Sequence, residues 1–267
     1  MTIAGKGAPG SGPVHGGDGF RSRWTGTHGT RIHERFHTEV PGLPTVLVHG
    51  LAVSHRYLMP TARALCARRP VVLPDLPGFG LSDKPSRAYD VEQHARALSA
   101  WLDRRGLDRI CLVGHSFGAE VATRLAVLRP DVVAALVLAG PTTDPAARTW
   151  PGLVARFVAD LPVEQLWQAG ILARDVADAK PWRVLATVGH SLRNAIEKDL
   201  VRLPVAPLVL GGALDPVAPA RWRSEVAAIT TGATVTVPYA GHNVLTTSGR
   251  RSAAAIDAHI RRTVAGT

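Results

Sequence analysis

The sequence predicts an α/β fold in which a mostly parallel central sheet is flanked by helices. Strand-like runs such as Ile110–Val113 and Val132–Ala139 are apolar throughout, as expected for parallel strands that are buried on both faces. These runs alternate with segments of helical periodicity such as Val91–Arg105, which is the order that crossover units require. The length of 267 residues suits one large domain, or one domain with an insertion.

The predicted core elements begin at about Phe20. A hairpin formed by Arg21–Thr27 and Thr30–Thr38 should turn near His28 and Gly29. Further strands are predicted at Thr45–His49, Val71–Leu76, Ile110–Val113, Val132–Ala139, Val205–Leu210 and Ala233–Val237. Helices are predicted at His55–Ala67, Val91–Arg105, Ala218–Ile229 and Arg250–Val264, with one more directly after the Ile110–Val113 strand.

The alternation stops at Gly140. Residues 141–200 contain several short helical stretches and no convincing strand, which predicts a helical cap inserted after the sixth strand. The core would then comprise residues 20–140 and 201–267. Residues 1–19 are rich in Gly, Pro and Ser and have no apolar leader, which predicts a disordered tail and a cytoplasmic location.

The composition argues against several classes of partner. The net charge is +10, but the 27 arginines are spread along the chain in runs of two at most, and none of these runs sits among interleaved aromatic residues, so nucleic-acid binding is not expected. No apolar run approaches the roughly 18 residues of a membrane span. Neither metal-ligand spacing nor a phosphate-binding or dinucleotide-binding loop is present, so no metal or cofactor is expected. The expected partner is a small-molecule substrate, bound by a monomer or homodimer.

Residues 112–118 carry the strongest functional signal. They read Leu-Val-Gly-His-Ser-Phe-Gly, at the end of a predicted strand and the start of a predicted helix. This is the context in which Gly-x-Ser-x-Gly forms a nucleophile elbow, a tight turn that lifts its central residue out of the sheet. Gly114 and Gly118 would allow close backbone packing, and Ser116 is the predicted nucleophile.

A serine nucleophile needs a base, and the base needs a carboxylate that orients it. Asp215 follows one predicted strand and His242 follows the next, so the order Ser116, Asp215, His242 is the expected one for this architecture. Asp144 is a rival for the acid, because it also follows a predicted strand.

Acyl transfer also needs hydrogen-bond donors for an oxyanion. The backbone N–H of Phe117 is one candidate, and the N–H of Leu51, in the loop after Thr45–His49, is the other. Gly50 should allow that loop to approach the nucleophile closely. His49 is assigned with Gly50 to the substrate side of the site, and it is expected to act mainly by holding the loop.

Five segments of the chain together resemble the α/β-hydrolase fold family, specifically its small, cofactor-free serine hydrolases with a helical cap. They are His49-Gly50, Asp75–Ser82, Gly114–Gly118, Gly211–Asp215 and Gly241-His242, within a stretch from about Phe20 to Val264. Dehalogenases and many epoxide hydrolases of this family carry Asp at the elbow, so Ser116 counts against both activities.

The resemblance implies that the insertion covers the active site and sets the substrate. Trp150, Trp167 and Trp182 are then candidate substrate-binding residues, with apolar neighbours at Leu153, Phe157, Leu161, Leu166, Ile171 and Leu172. The alternative is that these side chains pack the cap onto the sheet. Glu120 and Glu164 are conceivable anchors for a substrate amine, although helix-surface positions are expected for both.

The predicted function is a serine hydrolase that acts on carboxylic esters or lactones of small to medium, apolar molecules. Alternatives that keep the same three residues are carbon–carbon bond hydrolysis, peracid formation and amide cleavage. A non-hydrolytic binding or lyase role is the alternative of a different class, because a fold does not determine its function.

Overall fold

The computed structural model describes residues 14–15, 19–27 and 29–265. Within them, nine strands form one sheet in the order β1-β2-β3-β5-β4-β6-β7-β8-β9. The strands are β1 (Val14–His15), β2 (Arg21–Thr27), β3 (Thr30–His37), β4 (Thr45–Val48), β5 (Val71–Pro74), β6 (Ile110–His115), β7 (Val133–Ala139), β8 (Leu208–Gly212) and β9 (Ala233–Val237).

Helices follow most of the parallel strands. They are α1 (His55–Leu65), α2 (Val91–Arg105), α3 (Phe117–Leu128), α4 (Trp150–Asp160), α5 (Ala169–Ala179), α6 (Pro181–Arg193), α7 (Glu197–Leu200), α8 (Ala220–Thr230), α9 (Val244–Thr247) and α10 (Gly249–Ala265). The predicted helix Val91–Arg105 is confirmed residue for residue. Asp90 and Gln93 form its capping box, and Gly106, at φ 62°, ends it in the left-handed region.

The sheet is antiparallel on one side and parallel on the other. Strand β3 runs antiparallel to β2 and β5, whereas β5, β4, β6, β7, β8 and β9 run parallel to one another. Val46 of β4 lies between Val72 of β5 and Leu112 of β6, so the buried apolar runs face each other in register. The predicted α/β fold with a mostly parallel sheet is confirmed.

Most predicted elements begin or end within two residues of the observed ones, and two differences are larger. Strand β8 begins at Leu208 rather than Val205, because Pro207 has no N–H to donate to a neighbouring strand. Val14 and His15, inside the predicted disordered tail, pair with Ser22 and Arg21 as strand β1. The rest of that tail up to residue 18 lies outside the described residues, as does His28 at the predicted hairpin turn.

The insertion is helical. Residues 141–200 contain α4, α5, α6 and α7 with two short 3₁₀ segments, Pro145–Ala147 and Leu166–Gln168, and no strand. Counted from Arg21, they follow the sixth strand, as predicted. Among the described residues, no helix combines the length and apolar character that crossing a bilayer requires.

Two apolar clusters fill the two faces of the sheet. The first includes Trp101 of α2 and Trp222 of α8, and the second includes Leu58 of α1 and Ile256 of α10. Each of these four side chains is at most 1% exposed. The two layers of helices therefore cover both faces of the sheet, and the carboxyl ends of its parallel strands lie along one edge.

Trp101→Ala should lower the free energy of unfolding by about 3 to 5 kcal/mol, because the indole is fully buried and its loss leaves a cavity. Trp182→Ala is the matched control, since its side chain is 47% exposed, and it should cost less than about 1 kcal/mol. Urea denaturation followed by circular dichroism measures both. Equal losses in the two variants would contradict this account of the core.

Candidate active site

The turn between β6 and α3 is tight and strained. Ser116 has φ 55° and ψ −122°, a backbone conformation that non-glycine residues rarely adopt, and its N–H donates to the Ala139 carbonyl at 2.9 Å. A Cβ on Gly114 would lie 2.3 Å from the Gly118 carbonyl oxygen, and one on Gly118 would lie 2.5 Å from that of His49. Both glycines are therefore required for α3 to pack against β6 and β4.

Three side chains form a continuous hydrogen-bonded series. Nε2 of His242 lies 2.9 Å from Oγ of Ser116, and Nδ1 lies 3.1 Å from Oδ2 of Asp215. Oδ1 of Asp215 accepts the N–H groups of Val217 and Ala218 at 2.9 and 2.8 Å, which fixes the carboxylate. The structure thus brings together the three residues that the sequence nominates, in loops that follow β6, β8 and β9.

The charges of this series stabilise one another. Burial disfavours the protonated imidazole, but the charge and hydrogen bond of Asp215, with the charges of Asp160 and Glu164, outweigh burial and raise the pKa of His242 above its ordinary 6.5. Burial also opposes ionisation of Asp215, yet His242 and the Ala218 N–H hold the pKa of that carboxyl below its usual range. His242 is therefore a base that is stabilised once it has taken a proton.

A second histidine beside the series stays neutral. Burial, with the charge of His242, lowers the pKa of His115 to about 3. Its Nε2 donates to the His242 carbonyl at 3.0 Å. His115 therefore supports the loop of the base and does not compete for its proton.

The rival acid has other partners. Asp144 is 3% exposed and accepts from Arg156 at 2.5 Å and from Arg221 at 2.9 Å. These arginines hold the pKa of Asp144 low against the effect of burial. The carboxylate that contacts Nδ1 of His242 is that of Asp215.

Two backbone N–H groups belong to residues beside the serine, Phe117 and Leu51. Phe117 is the first residue of α3, where a helix leaves its N–H without an internal acceptor. The loop with Gly50 and Leu51 also comes close, because a Cβ on Gly50 would lie 3.1 Å from that of Ser116. In the described part of the chain, neither the Phe117 nor the Leu51 N–H donates to another acceptor.

A cavity of about 410 Å³ opens onto Ser116 and His242. Its apolar lining comes from the core at Leu51, Ala52, Val53 and Tyr57, and from the insertion at Phe157, Leu161, Leu166, Ala169 and Leu172. The rest of the lining is Gly50, His115, Asp160, Glu164, Gln165, Gln168 and Asn243, so neither Lys nor Arg is present. The cavity suits a neutral, largely apolar ligand.

Three predicted substrate-binding residues lie elsewhere. Trp150, Trp167 and Trp182 are 47%, 52% and 47% exposed, and none lines this cavity. Trp167 lines a separate surface depression beside α1, and the ring of Trp182 carries the Arg183 guanidinium 4.6 Å from its centroid. The prediction is corrected because these indoles lie away from the cavity, whereas other apolar side chains of the same segment line it, among them Phe157, Leu161 and Leu172.

His49 is a structural residue rather than a substrate contact. It is fully buried and absent from the cavity wall, whereas Gly50 does line it. Nε2 of His49 accepts the Leu76 N–H at 2.9 Å, and Nδ1 donates to the Gly50 carbonyl at 2.7 Å. His49 therefore ties the loop after β4 to the loop after β5, as expected, and its assignment to the substrate side is corrected.

Sequence reasoning undervalued several buried carboxylates. Glu120 is 1% exposed rather than on the helix surface, and it accepts from Thr142, Ser191 and Asn194 at 2.6 to 2.8 Å. Burial raises the pKa of Glu120 to about 7 despite those bonds. Because Ser191 and Asn194 lie at the end of α6, Glu120 fastens the insertion to α3.

Asp160 and Glu164 also lie at the site, and both line the cavity. Burial, reinforced by Glu164 against the charge of His242, raises the pKa of Asp160 to about 6. Their spacing of four residues is the only sequence signal that could have paired them.

Asp75, His33 and His55 form another buried cluster, with ligand-type atoms within 4.8 Å of one another. The Asp75 oxygens accept from Nδ1 of His33 at 2.8 Å, from Nδ1 and N–H of His55 at 2.9 and 2.7 Å, and from the Leu81 N–H at 2.9 Å. These bonds hold the pKa of Asp75 well below its usual range against burial. With its acceptors occupied, the cluster clamps β3, α1 and the loop after β5 together.

Comparisons with known proteins agree with this architecture. A family model described as "Alpha/beta hydrolase family" matches residues 45–255. An esterase from Thermogutta terrifontis superposes with a TM-score of 0.74 and 25% identity, covering 91% of this chain and 98% of the esterase.

Curated relatives match over shorter stretches. Haloalkane dehalogenase 2 of Mycobacterium bovis is 34% identical over 54% of this chain and 50% of its own length. The 2-hydroxy-6-oxo-2,4-heptadienoate hydrolase of Pseudomonas putida is 37% identical over 41% of each chain. The chain thus spans about half or less of these two relatives.

The two histidines at the site should titrate far apart. By NMR, His242 should protonate with a midpoint above pH 6.5, whereas His115 should remain neutral down to about pH 4. Asp215→Asn should lower the His242 midpoint because it removes the nearest negative charge. Asp144→Asn is the control and should leave that midpoint unchanged, so a larger effect from Asp144→Asn would contradict the assignment of the acid.

Proposed function

The chain belongs to the alpha/beta hydrolase family, and on that premise we propose that it is a serine hydrolase of neutral, apolar carboxylic esters or lactones. The observation that carries the proposal is the Ser116–His242–Asp215 series at the floor of an apolar cavity. A serine, a base and an orienting acid in hydrogen-bond contact are the apparatus of nucleophilic acyl transfer.

The first half-reaction forms an acyl-enzyme. Nε2 of His242 takes the hydroxyl proton as Oγ of Ser116 attacks the substrate carbonyl. The Phe117 and Leu51 N–H groups hold the resulting oxyanion, each contributing roughly 3 kcal/mol in the transition state. Asp215 keeps Nδ1 protonated and stabilises the imidazolium. His242 then gives its proton to the alcohol oxygen as the carbon–oxygen bond of the ester breaks.

The second half-reaction releases the acid. His242 takes a proton from water, whose oxygen attacks the acyl carbonyl, and the same two N–H groups hold the second oxyanion. Collapse of that intermediate breaks the bond to Oγ and returns the proton to Ser116. Each proton that His242 accepts is given up again, so the enzyme is regenerated.

The dehalogenase relatives do not supply the better proposal. Displacement of a halide by a serine oxygen would leave an alkyl ether, which has no carbonyl for water to attack. An aspartate nucleophile leaves a hydrolysable ester instead. Ser116 therefore favours acyl chemistry over carbon–halogen cleavage.

Carbon–carbon hydrolysis of an anionic dienoate is also less well supported. A substrate carboxylate buried in the cavity would need a cationic partner, and the lining offers Asp160 and Glu164 but neither Lys nor Arg. Amide cleavage, peracid formation and a non-hydrolytic role have no specific observation in their favour.

Covalent labelling tests the proposal most directly. A neutral fluorophosphonate should add one adduct to the wild-type protein, because His242 activates Ser116. The Ser116→Ala variant should gain none and should lose ester hydrolysis by about 10⁴-fold or more. Intact-mass spectrometry reads both, and thermal melts establish that the variant is folded. A wild-type protein that folds but never labels would refute the proposal.

Substrate charge should discriminate between the candidate reactions. We expect kcat/KM for p-nitrophenyl hexanoate to exceed that for mono-p-nitrophenyl adipate by about tenfold or more, because the second ester ends in a carboxylate that the cavity repels. The two acyl chains have the same number of carbons, so length is controlled. Faster cleavage of the adipate ester, or of a coloured dienoate acid, would contradict the proposed substrate class.

A further inference from the structure

The end of α4 in the insertion rests on the loop that carries His242. Oδ1 of Asp160 accepts the backbone N–H of His242 at 3.2 Å, and Oε1 of Glu164 accepts that of Asn243 at 2.8 Å. Two carboxylates four residues apart thus bind two consecutive N–H groups of one loop. The second oxygen of Glu164 is itself held by Nε2 of Gln168 at 2.8 Å.

The approach is close enough to restrict the neighbouring residue. A Cβ on Gly241 would lie 2.9 Å from Oε1 of Glu164 and 3.2 Å from Oδ1 of Asp160. Asp160 is 5% exposed, so little solvent competes for its contacts. Gly241, directly before His242, is therefore the residue that allows both carboxylates to reach the loop.

The negative charges of these carboxylates also act on the base, His242. The groups that act most strongly on Asp160 are His242, Glu164 and Asp215, none of which is Lys or Arg. The charged groups that act most strongly on His242 are Asp215 after β8 and Asp160 and Glu164 from the insertion. The ring centroid of neutral His115, on β6, is 5.2 Å from that of His242, and Arg223 of α8 acts on the Asp215 carboxylate. The insertion thus adds negative charge on a side of His242 that Asp215 does not occupy.

We propose that Asp160 and Glu164 are positioning residues for the general base, which hold the His242 loop and stabilise the imidazolium together with Asp215. The proposal rests on the proposed function, since it gives His242 the role of base. Because both carboxylates belong to the insertion, His242 is a full-strength base only when the end of α4 lies on its loop.

A purely mechanical role makes a different prediction. If Asp160 and Glu164 only fasten the insertion, neutral amides at these positions would change stability without altering how activity depends on pH. If they also supply charge, the amides would weaken the base, because Asn and Gln keep an acceptor oxygen but lose the charge.

The test is the pH dependence of inactivation by a neutral fluorophosphonate. In wild type, the second-order rate constant should fall as the pH drops through the raised pKa of His242. Asp160→Asn should lower the apparent pKa of this fall in rate constant by about 0.5 to 1, and Glu164→Gln should lower that apparent pKa less. The plateau rate of Asp160→Asn should exceed that of Asp160→Ala, because Asn keeps the acceptor to the His242 N–H.

Asp178→Asn is the matched control. Asp178 lies in α5 of the same insertion, its side chain is 39% exposed, and its ion-pair partner is Arg56 at 3.5 Å. The variant makes the same change in net charge at a position that does not face His242. Its pH profile of inactivation should therefore coincide with that of wild type. Asp160→Ala removes acceptor and charge together and should lower the plateau rate about tenfold below that of Asp160→Asn.

Two outcomes would overturn the inference. One is a wild-type pH profile in folded Asp160→Asn and Glu164→Gln, and the other is an equal shift in Asp178→Asn. If Asp160→Asn does not fold, Glu164→Gln carries the test. If wild-type Ser116 does not label, the proposed function fails separately, and the His242 NMR midpoint in the same variants still decides whether these carboxylates stabilise the imidazolium.

Discussion

The packing of α3 against β6 and β4 is the constraint on which the site depends. Because Gly114 and Gly118 have no Cβ, neighbouring backbone carbonyls can occupy that space, and α3 can begin directly after β6. That geometry leaves Ser116 in a strained conformation that the parallel strands on either side maintain. His242 and Asp215 then need only follow two further strands of the same sheet to reach the serine.

The charged side chains that line the cavity are acidic, whereas the chain as a whole is positively charged. The protein carries a net charge of +10, yet the cavity lining holds two carboxylates and neither Lys nor Arg. Asp144 shows how the arginines are used elsewhere, since Arg156 and Arg221 occupy that carboxylate. Asp215 and Asp160 act on His242 instead, and their charges help to raise the pKa of that buried imidazole above its ordinary value.

The insertion is joined to the core by buried polar contacts as well as by apolar packing. Glu120 reaches the end of α6 through Ser191 and Asn194, and Asp160 and Glu164 reach the loop of His242. Such contacts are direction-specific, and breaking one leaves a buried polar group unpaired. They therefore define one position of the insertion over the serine, and with it the shape of the cavity.

The α/β class, the helical insertion and the order of Ser116, Asp215 and His242 were predictable from the chain, because strand periodicity and turn chemistry are local properties. Contacts between side chains that are distant in sequence depend on how the helices pack, and local patterns do not reveal them. The tryptophans of the insertion point outward, and Glu120 is buried rather than exposed, because the orientation of each helix depends on the surface beneath it. Asp160 and Glu164 gain their place beside His242 in the same way, through a contact between residues about 80 positions apart.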